Sequence, residues 1–320
     1  MTFAGSPDRV EAELVPQHGY EFDSFRISGF PRKPSLALAG ALGRAALAPA
    51  ACIAILRRRK PHVVLGGGGY VAGPMVAAAR ALRIPAALTE ADAHLGLANR
   101  LAAPFARRVF LAYEIAGLAP PKYRVTGRPV LRAHRGATRA EARERFGLPA
   151  DRPVIAFFGA LAGARSLNEF AVESYGSSGP AVLHVSGKRD YESVRPLVRR
   201  DDYVLVSSTE DFGAALAAPD LAISRAGGTV WELAAAGTPS ILVPYPHATG
   251  DHQTLNGLHF ERGGGAIVVP EPELDRVPAL VDELLADPAR LAAMRGAMLA
   301  LARPDAADEI AEELIALARR

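Results

Sequence analysis

Short apolar runs alternate with amphipathic or alanine-rich helical stretches along most of this sequence. The runs predict buried strands, and regular strand–helix alternation is typical of parallel sheets covered by helices. The predicted strands are residues 22–27, 62–65, 86–88, 108–111, 153–158, 181–185, 203–206, 221–223 and 240–243, and the main predicted helices are 8–15, 35–60, 74–82, 97–103, 164–175, 229–236 and 304–320. The pattern starts again after a charged stretch at 132–152. We therefore predict an α/β protein with two doubly wound parallel-sheet domains that face each other.

A glycine turn opens one of the predicted helices in the second half of the chain. Ala226, Gly227 and Gly228 stand directly before the helix at 229–236. Such a turn leaves backbone N–H groups exposed at the positive end of a helix dipole, which suits a phosphate or diphosphate. Glu232 lies about one turn inside the helix, where a carboxylate can accept two ribose hydroxyls.

A polar run just beyond the next predicted strand strengthens this interpretation. Residues 251–256 read Asp-His-Gln-Thr-Leu-Asn and follow the strand at 240–243. Because the carboxyl ends of parallel strands meet at one edge of a sheet, the run and the glycine turn are predicted to lie together. Open α/β folds bind their ligands at that edge.

A second glycine turn lies in the first half of the chain. Residues 66–69 are four consecutive glycines after the strand at 62–65, and the predicted helix begins at Pro74. Each glycine adds conformational entropy that folding must overcome, so packing alone is a weak explanation for the run. The favoured interpretation is a second anion site at a helix N-terminus.

Composition limits the class of protein. The chain has 320 residues, about twice the size of an average domain. Its single cysteine, Cys52, excludes a disulfide framework and a cysteine-based metal site, and fits a reducing cytoplasm. No stretch reaches the roughly 18 to 20 apolar residues of a membrane span. Asp8, Glu11 and Glu13 fall where a signal peptide has its apolar core.

Charge is distributed unevenly along the chain. Residues 1–135 carry 19 Lys and Arg against 8 Asp and Glu, whereas residues 136–320 carry 18 against 26. A basic half predicts an anionic partner. The helix at 35–60, interrupted at Pro49 and ending in the basic run 57–60, resembles an interfacial membrane helix, which favours an anionic membrane surface over nucleic acid. A packed helix with a solvated basic end is an equally weighted alternative.

Acidic residues cluster in the polar turn after the strand at 86–88. Glu90, Asp92 and His94 are the candidates for a general base, and Asp92 is the first choice. Two solvated acids in a turn are the commoner explanation of such a pair, and we find no metal site in the sequence. We therefore predict a chemistry that uses neither a metal nor a cofactor.

Eight ordered motifs give the chain a resemblance to a known family. They are residues 68–73 (GGYVAG), 126–130 (TGRPV), 163–168 (GARSLN), 186–188 (SGK), 224–227 (SRAG), 232–237 (ELAAAG), 243–244 (VP) and 251–256 (DHQTLN). The same order occurs in the MurG family of bacterial UDP-N-acetylglucosamine transferases, in glycosyltransferase family 28. These enzymes convert lipid I to lipid II in peptidoglycan synthesis, and the resemblance covers nearly the whole chain.

The resemblance implies the GT-B fold, with two Rossmann-like domains facing across a cleft. Residues 1–135 would bind a lipid-diphosphate acceptor, residues 150–303 would bind the UDP sugar, and the helix at 304–320 would pack back on the first domain. Such a chain would be an inverting, metal-independent hexosyltransferase. It would lie on the cytoplasmic face of the cell membrane, with an anionic membrane surface and cell-wall or division proteins as partners and no nucleic acid.

The resemblance also implies site residues. The donor-binding residues would be Ser208 and Thr209 at the uracil, Ala226, Gly227, Gly228 and Thr229 at the diphosphate, Glu232 at the ribose, Gln253 and Asn256 near the sugar, and Arg165. The acceptor-binding residues would be Gly68, Gly69, Tyr70, Gly73 and Asn99, with Asp92 and Glu90 as catalytic candidates.

The sequence also departs from the family pattern. The family's first strand and Gly-Gly-Thr-Gly-Gly-His loop precede the point at which this sequence begins. Residues 89–92 read Thr-Glu-Ala-Asp where the family has His-Glu-Gln-Asn, and Leu131 replaces an arginine. Three hypotheses follow: a transferase acting on lipid I, a relative acting on another lipid or a secondary-metabolite acceptor, and a UDP-sugar-binding chain that needs a missing element or a partner for activity.

Overall fold

The computed structural model describes residues 1–27, 36–134, 136–159 and 164–319. The chain forms two compact units, one of residues 1–126 with 308–320 and one of residues 127–307. Each unit contains parallel strands connected by helices, so the predicted α/β class and parallel sheets are confirmed. The boundary between the units lies at residues 126 and 127, shortly before the charged stretch that the sequence suggested as the join.

The strands of the first unit are parallel and short. β1 (Thr2–Gly5) pairs with β2 (Glu21–Ser24), while β3 (Val64–Gly66), β4 (Ala86–Glu90), β5 (Arg108–Leu111) and β6 (Tyr123–Val125) form a separate sheet in that order. The strand predicted at 22–27 ends at Ser24. β4 extends beyond the predicted 86–88, so Thr89 and Glu90 end this strand and do not belong to the following turn.

The four helices that lie before residue 126 all differ from their predicted bounds, and α3 differs most. The helices are α1 (Glu11–Gln17), α2 (Leu36–Arg59), α3 (Gly69–Ala81) and α4 (Leu97–Ala102). α3 begins at Gly69 and not at Pro74. Ala72, which precedes the proline, lies on the same buried face as Val76, so packing extends the helix toward its N-terminus. α2 is continuous through Pro49, where Cys52 and Leu56 are buried four residues apart in a helix that packs against α3. This packing offsets the roughly 3 kcal/mol that an internal proline costs.

The basic end of α2 is held by acidic side chains of β2. Nε of Arg59 lies 2.8 Å from Oδ2 of Asp23, and Nη2 of Arg58 lies 2.7 Å from Oδ1 of the same carboxylate. Arg59 also pairs with Glu21 at 2.8 Å. Hydrogen bonds from Arg59 and then Arg58 hold the pKa of Asp23 below its ordinary value. The described end of α2 therefore packs within the unit, and Arg58 and Arg59 are ion-paired where the packed-helix alternative expected a solvated basic end. Among the described residues, no helix has both the length and the apolar character needed to cross a bilayer.

The last helix of the chain, α13 (Ala306–Ala318), packs on the sheet of the first unit. Ile310 and Leu317 are buried in one cluster with Phe110 of β5 and Ala87 of β4. Glu313 on the same helix forms ion pairs with Arg108, at 3.4 Å, and with Arg124. An apolar face and an acid between two arginines thus fix this helix on the sheet over β4, β5 and β6.

The second unit is built on a longer parallel sheet. Its strands are β7 (Val154–Phe158), β8 (Ala181–Val185), β9 (Tyr203–Val206), β10 (Leu221–Ser224), β11 (Ser240–Leu242) and β12 (Ala266–Val268), in the order β12-β11-β10-β7-β8-β9. Every residue of β7 and β10 is buried, as expected for central strands covered on both faces. The strand order reverses between β7 and β10, so the chain leaves these neighbours toward opposite sides of the sheet.

Helices follow nearly every strand of the second unit. They are α5 (Arg139–Phe146), α6 (Arg165–Tyr175), α7 (Tyr191–Val194), α8 (Phe212–Ala217), α9 (Thr229–Ala236), α10 (His252–Arg262), α11 (Val277–Leu285) and α12 (Pro288–Leu301). α9 has the predicted bounds. It ends at Gly237, whose φ of 67° is left-handed and therefore favours glycine.

A buried polar network joins β8 to α6 and β9. The hydroxyl of Tyr203 donates to Nδ1 of His184 at 2.8 Å, and Nε2 of His184 donates to Oδ1 of Asn168 at 2.9 Å. The amide of Asn168 donates in turn to the carbonyl of Ser186 and to Asp190. Burial lowers the pKa of His184 to about 3, so the imidazole is neutral in the folded protein.

Replacing His184 with glutamine is expected to remove a pH-dependent loss of stability. The folded pKa lies below the unfolded value of about 6.5, so the unfolded chain binds a proton first as the pH falls. This group therefore destabilises the fold below that pH and has no such effect above it. Between about pH 7.5 and about pH 5, the wild-type free energy of unfolding should fall by about 2 kcal/mol more than that of H184Q. Urea denaturation measures both values.

The matched control is His62→Gln, because His62 is exposed. H62Q should show the pH dependence of the wild type. An identical pH dependence in wild type and H184Q would contradict the assignment of a neutral, buried His184.

Candidate functional site

A cavity of about 420 Å³ lies at the carboxyl edge of the sheet in the second unit. Its walls come from the segments that follow β7, β8, β10 and β11. The lining residues are Gly159, Ala164, Arg165, Ser166, Arg189, Ser224, Arg225, Gly227, Gly228, Thr229, Tyr245 and Gln253. The cavity thus lies where the strand order reverses between β7 and β10, which is the usual ligand position in open α/β sheets.

The glycine turn before α9 forms one wall of this cavity. Gly228 is the N-cap of the helix and Thr229 its first residue, with no side-chain cap hydrogen bond. In the part of the chain that the structure describes, the N–H groups of Gly227, Gly228 and Thr229 have no acceptor. Helix N-termini with such N–H groups bind anions, because the helix dipole adds partial positive charge.

A buried arginine on the cavity wall holds the segments around the turn together. Arg225 is 5% exposed and donates to the carbonyls of Val243 and Pro244 at 3.2 and 3.3 Å and to the hydroxyl of Ser166 at 2.8 Å. Glu271 forms an ion pair with it. Arg225 therefore ties the segment after β10 to the segments after β7 and β11, and its charge is already paired.

Two further arginines bring positive charge to the cavity. Arg189 pairs with Asp190 through two contacts of 2.8 and 3.0 Å, and this pairing holds the pKa of Asp190 below its ordinary value. Arg165 begins α6 on the opposite wall and is exposed. The positive potential of Arg165 and of the helix terminus suits an anionic ligand such as a diphosphate.

The carboxylate of Glu232 is fixed by a histidine from a distant part of the sequence. Oε1 of Glu232 lies 2.9 Å from Nδ1 of His134, and their side chains are 23% and 14% exposed. The His134 ring packs edge-on against Phe212, with ring centroids 5.5 Å apart. This contact orients the carboxylate, while its second oxygen can still accept hydrogen bonds.

The loop that contains Ser208 and Thr209 lies near this carboxylate and not on the cavity wall. Oγ1 of Thr209 accepts from the N–H of Asp211 at 3.0 Å, and Ser208 is exposed. Phe212 follows directly and contacts His134, which contacts Glu232. The predicted uracil loop and the predicted ribose carboxylate are thus connected through these two rings.

The two residues predicted near the donor sugar differ in position, since one lines the cavity and the other is buried. Gln253 lines the cavity, and its Oε1 accepts from the N–H of Tyr245 at 2.9 Å. Asn256 is only 1% exposed and donates to the carbonyl of Ala226 at 3.2 Å, below the glycine turn. Asn256 therefore shapes the turn from the interior and does not line the cavity. Ala226 is fully buried as well.

The predicted acceptor residues of the first unit lie at the carboxyl edges of β3 and β4. Gly68 and Gly69 have φ angles of 90° and 67°, which favour glycine. A Cβ on Gly68 would lie 3.4 Å from the carbonyl of Thr89 and 3.7 Å from Nδ2 of Asn99, so these two turns are in contact. Three of the four glycines thus have local backbone or packing reasons, because a Cβ on Gly66 would clash with the Leu88 side chain at 2.8 Å, whereas a Cβ on Gly67 would meet no atom within 4 Å.

Tyr70 and Gly73 lie further along α3. The hydroxyl of Tyr70 accepts a hydrogen bond from Nε of Arg9 at 3.0 Å, and the Arg9 guanidinium lies over the ring. Gly73 lies in the second turn of α3, and a Cβ there would meet no atom within 4 Å. Tyr70 thus packs against the turn that follows β1, whereas the space beside Gly73 on α3 is unfilled.

The structure corrects the interpretation of Glu90 as a general base. This side chain is 8% exposed and accepts four hydrogen bonds. Oε1 accepts from the N–H groups of Ala91 and Asp92 at 2.9 and 3.3 Å, and Oε2 from the N–H of Gly96 and the amide of Asn99, both at 2.9 Å. A carboxylate that accepts so many hydrogen bonds organises the turn after β4 and is poorly placed to take a proton from a substrate.

Asp92 and Asn99 remain beside this organised turn. Asp92 is partly buried. Of the two acids Glu90 and Asp92, it is the one that remains a candidate general base. Asn99 is 3% exposed and donates to the carbonyl of Thr89 as well as to Glu90. Within the described ranges, no group of His, Cys, Asp and Glu has an arrangement that could hold a metal ion.

Two residues near the donor features were not predicted from the sequence. His134 contacts Glu232, and the guanidinium of Arg128 lies against Gly228. Each is about 100 residues away from its partner along the chain. The sequence offered no periodicity that would connect them, because only the tertiary fold brings the start of the second unit alongside α9.

Comparisons with known proteins agree on one family for both units. The sequence profile of the glycosyltransferase family 28 N-terminal domain matches residues 2–111, and that of the family 28 C-terminal domain matches residues 154–310. A crystal structure of MurG from Acinetobacter baumannii superimposes with a TM-score of 0.77 at 26% identity, covering 98% of this chain and 90% of that one.

Curated relatives extend over nearly the whole chain. A protein of Rubrobacter xylanophilus is 36% identical over 100% of this chain and 96% of its own length, and one of Mycobacterium bovis is 39% identical over 99% and 82%. Both are named UDP-N-acetylglucosamine–N-acetylmuramyl-(pentapeptide) pyrophosphoryl-undecaprenol N-acetylglucosamine transferase.

Replacing Glu90 with glutamine is expected to lower the free energy of unfolding by about 2 kcal/mol. The amide provides one acceptor oxygen in place of two, and its NH₂ group would face N–H donors of the turn. Urea denaturation measures the loss. Glu114→Gln, at an exposed position of the first unit, is the control and should change stability little. A Glu90→Gln variant of wild-type stability would contradict the structural role assigned to this carboxylate.

Proposed function

This chain belongs to glycosyltransferase family 28, and we propose that it transfers N-acetylglucosamine from UDP-N-acetylglucosamine to an undecaprenyl-diphosphate-linked muramoyl-pentapeptide. The reaction is the conversion of lipid I to lipid II in peptidoglycan synthesis, with inversion at the anomeric carbon. The fold is GT-B. The second unit binds the nucleotide sugar, and the first unit binds the acceptor lipid.

The cavity at the carboxyl edge of the second unit is the observation that carries this proposal. It combines the unpaired N–H groups of the glycine turn with the positive charge of Arg165 and the helix terminus. These groups match a UDP leaving group, whose diphosphate gains negative charge as the glycosidic bond breaks. Preorganised N–H donors stabilise this charge more strongly than water does, because they need no reorientation during the reaction.

Glu232 is the proposed ribose ligand. His134 holds one of its oxygens, which fixes the rotamer of the side chain before the nucleotide arrives. The loop of Ser208 and Thr209, which is connected to this pair through Phe212, is proposed to contact the uracil. The nucleotide would then extend from that loop across Glu232 to the glycine turn.

Transfer requires one bond to form and one to break. A hydroxyl oxygen of the acceptor sugar bonds to C1 of N-acetylglucosamine, and the bond from C1 to the diphosphate oxygen breaks with its electron pair going to UDP. The hydroxyl proton passes to a base, for which we propose Asp92, because Glu90 is occupied by the turn. We propose that no cofactor takes part, since the cationic cavity supplies the charge that the leaving group needs.

An exposed apolar stripe on the first unit supports a proposed membrane surface. Leu97 and Leu101 on α4 are 60% and 64% exposed, and Phe105 follows one turn later at 45%. Arg100 lies beside them and is exposed. Apolar side chains bordered by a cation suit the interface of an anionic membrane. We propose attachment at the cytoplasmic face, where the acceptor lipid and the other enzymes of cell-wall synthesis and division would be partners.

The transfer reaction tests the proposed function directly. The full chain should move labelled N-acetylglucosamine from UDP-N-acetylglucosamine to a lipid I analogue, and Glu232→Gln should weaken binding of UDP, measured by calorimetry, roughly 10- to 100-fold through loss of its charged hydrogen bonds. Glu192→Gln, at a side chain that is 78% exposed, is the control. UDP binding without transfer to this acceptor would overturn the proposed acceptor, and absence of UDP binding would overturn the donor assignment.

Vesicle binding tests the membrane surface. The double variant Leu97→Gln/Leu101→Gln should reduce binding to phosphatidylglycerol-containing vesicles about tenfold or more, because each exposed leucine contributes roughly 1.5 to 3 kcal/mol when it enters an apolar phase. Leu131→Gln, at a leucine of the second unit that is 65% exposed, should leave binding unchanged. Equal binding by the double variant in a flotation assay would rule out this stripe.

A further inference from the structure

Arg128 lies unusually close to the glycine turn before α9. A Cβ atom on Gly228 would be 2.5 Å from Cζ of Arg128 and 2.6 and 2.9 Å from its two terminal nitrogens. The guanidinium therefore rests on the backbone of the N-cap residue. Gly228 also lines the cavity, so this cation stands beside the N–H groups that have no acceptor.

Space, and not backbone conformation, explains glycine at this position. Gly228 has φ −60° and ψ −30°, which any residue adopts readily. The three atoms nearest to a Cβ there all belong to the guanidinium of Arg128. Glycine at 228 is thus the residue that lets this arginine approach the start of the helix.

The backbone on both sides of Arg128 is held against α9. Gly127 has φ 82°, and a Cβ there would lie 2.3 Å from Cβ of Arg303 and 3.5 Å from the Trp231 ring. Six residues after Arg128, His134 bonds to Glu232 on the same helix. Arg128 therefore extends from an anchored segment, which reduces the backbone entropy that the segment loses when a ligand binds.

Arg128 has no ion-pair partner among the residues that the structure describes. In the described ranges its guanidinium forms neither a hydrogen bond nor an ion pair, whereas Arg225 and Arg189 pair with Glu271 and Asp190. A cation at the positive end of a helix is unfavourable by itself. An anion bound beside both the guanidinium and the turn would be attracted to each of them and would offset this repulsion.

We propose that Arg128 binds the diphosphate of the sugar-nucleotide donor together with the N–H groups of the glycine turn. This inference rests on the proposed function, because it assumes that the nucleotide occupies this cavity. The guanidinium donates to diphosphate oxygens and neutralises part of the charge that remains on UDP when the sugar leaves. Arg128 then contributes to affinity for the phosphates and not for the nucleoside.

A series of ligands of increasing charge tests this role. Calorimetry with the full chain measures Kd for uridine, UMP and UDP. Arg128→Gln should weaken UDP binding roughly 10- to 100-fold and leave uridine binding within about twofold, and Arg128→Lys should recover part of the loss. The matched control is Arg199→Gln, which removes the same charge at an exposed position before the amino end of β9.

Gly228→Ala supplies an independent test. The helical backbone accepts alanine, but its methyl group takes the space of the guanidinium and should displace it. G228A should therefore lose UDP affinity to about the same extent as R128Q, and the double variant should bind no worse than either single variant. Additive losses would mean that the two residues act separately and would overturn the inference.

The outcomes separate this inference from the proposed function. If the wild-type chain does not bind UDP, the proposed donor site is wrong. If the wild-type chain binds UDP and R128Q binds it as tightly as R199Q does, only the role proposed for Arg128 is wrong. Equal losses for uridine and UDP in R128Q would indicate a merely structural role and would also overturn it.

Discussion

The parallel order of the second sheet is the constraint on which the candidate site depends. β7 and β10 are neighbours, but the chain leaves them toward opposite sides of the sheet, and the segments that follow them separate at the carboxyl edge. The cavity occupies this separation, and α9 begins beside it. Strand residues such as those of β7 are fully buried, so the packing of the core fixes the position of a turn that has no side-chain cap of its own.

Positive charge is concentrated where this topology opens the sheet. Pairing divides the arginines at and beside the cavity into two groups. Arg225 and Arg189 form ion pairs with carboxylates, whereas Arg128 and Arg165 form none among the described residues, and Arg165 acts on Asp190 only through its field. The paired arginines hold loops in position, and the unpaired ones remain available to a ligand. In the first unit, an acidic side chain has the same structural role as the paired arginines. Glu90 is committed to four hydrogen bonds and gives the turn after β4 its shape.

Much of the fold could be predicted from the sequence, but the candidate site only in part. Strand–helix alternation and glycine turns correctly indicated parallel sheets, the bounds of α9 and the turn before it. The errors arose where tertiary packing outweighs local preference. α2 continues through Pro49 because its far half is packed against α3, and α3 begins before Pro74 for the same reason. Packing also places Asn256, which stays a prediction for the sugar site, in the interior below the turn.

The sequence by itself determined the α/β class, the parallel sheets and the glycine turn, because these follow from hydrophobic periodicity and from residues with special backbone freedom. Only the tertiary structure decided which charged side chains meet. Arg128 reaches Gly228, His134 reaches Glu232, and Glu90 turns inward, because distances between side chains depend on how elements about 100 residues apart pack together. Local pattern contains no information about such distances.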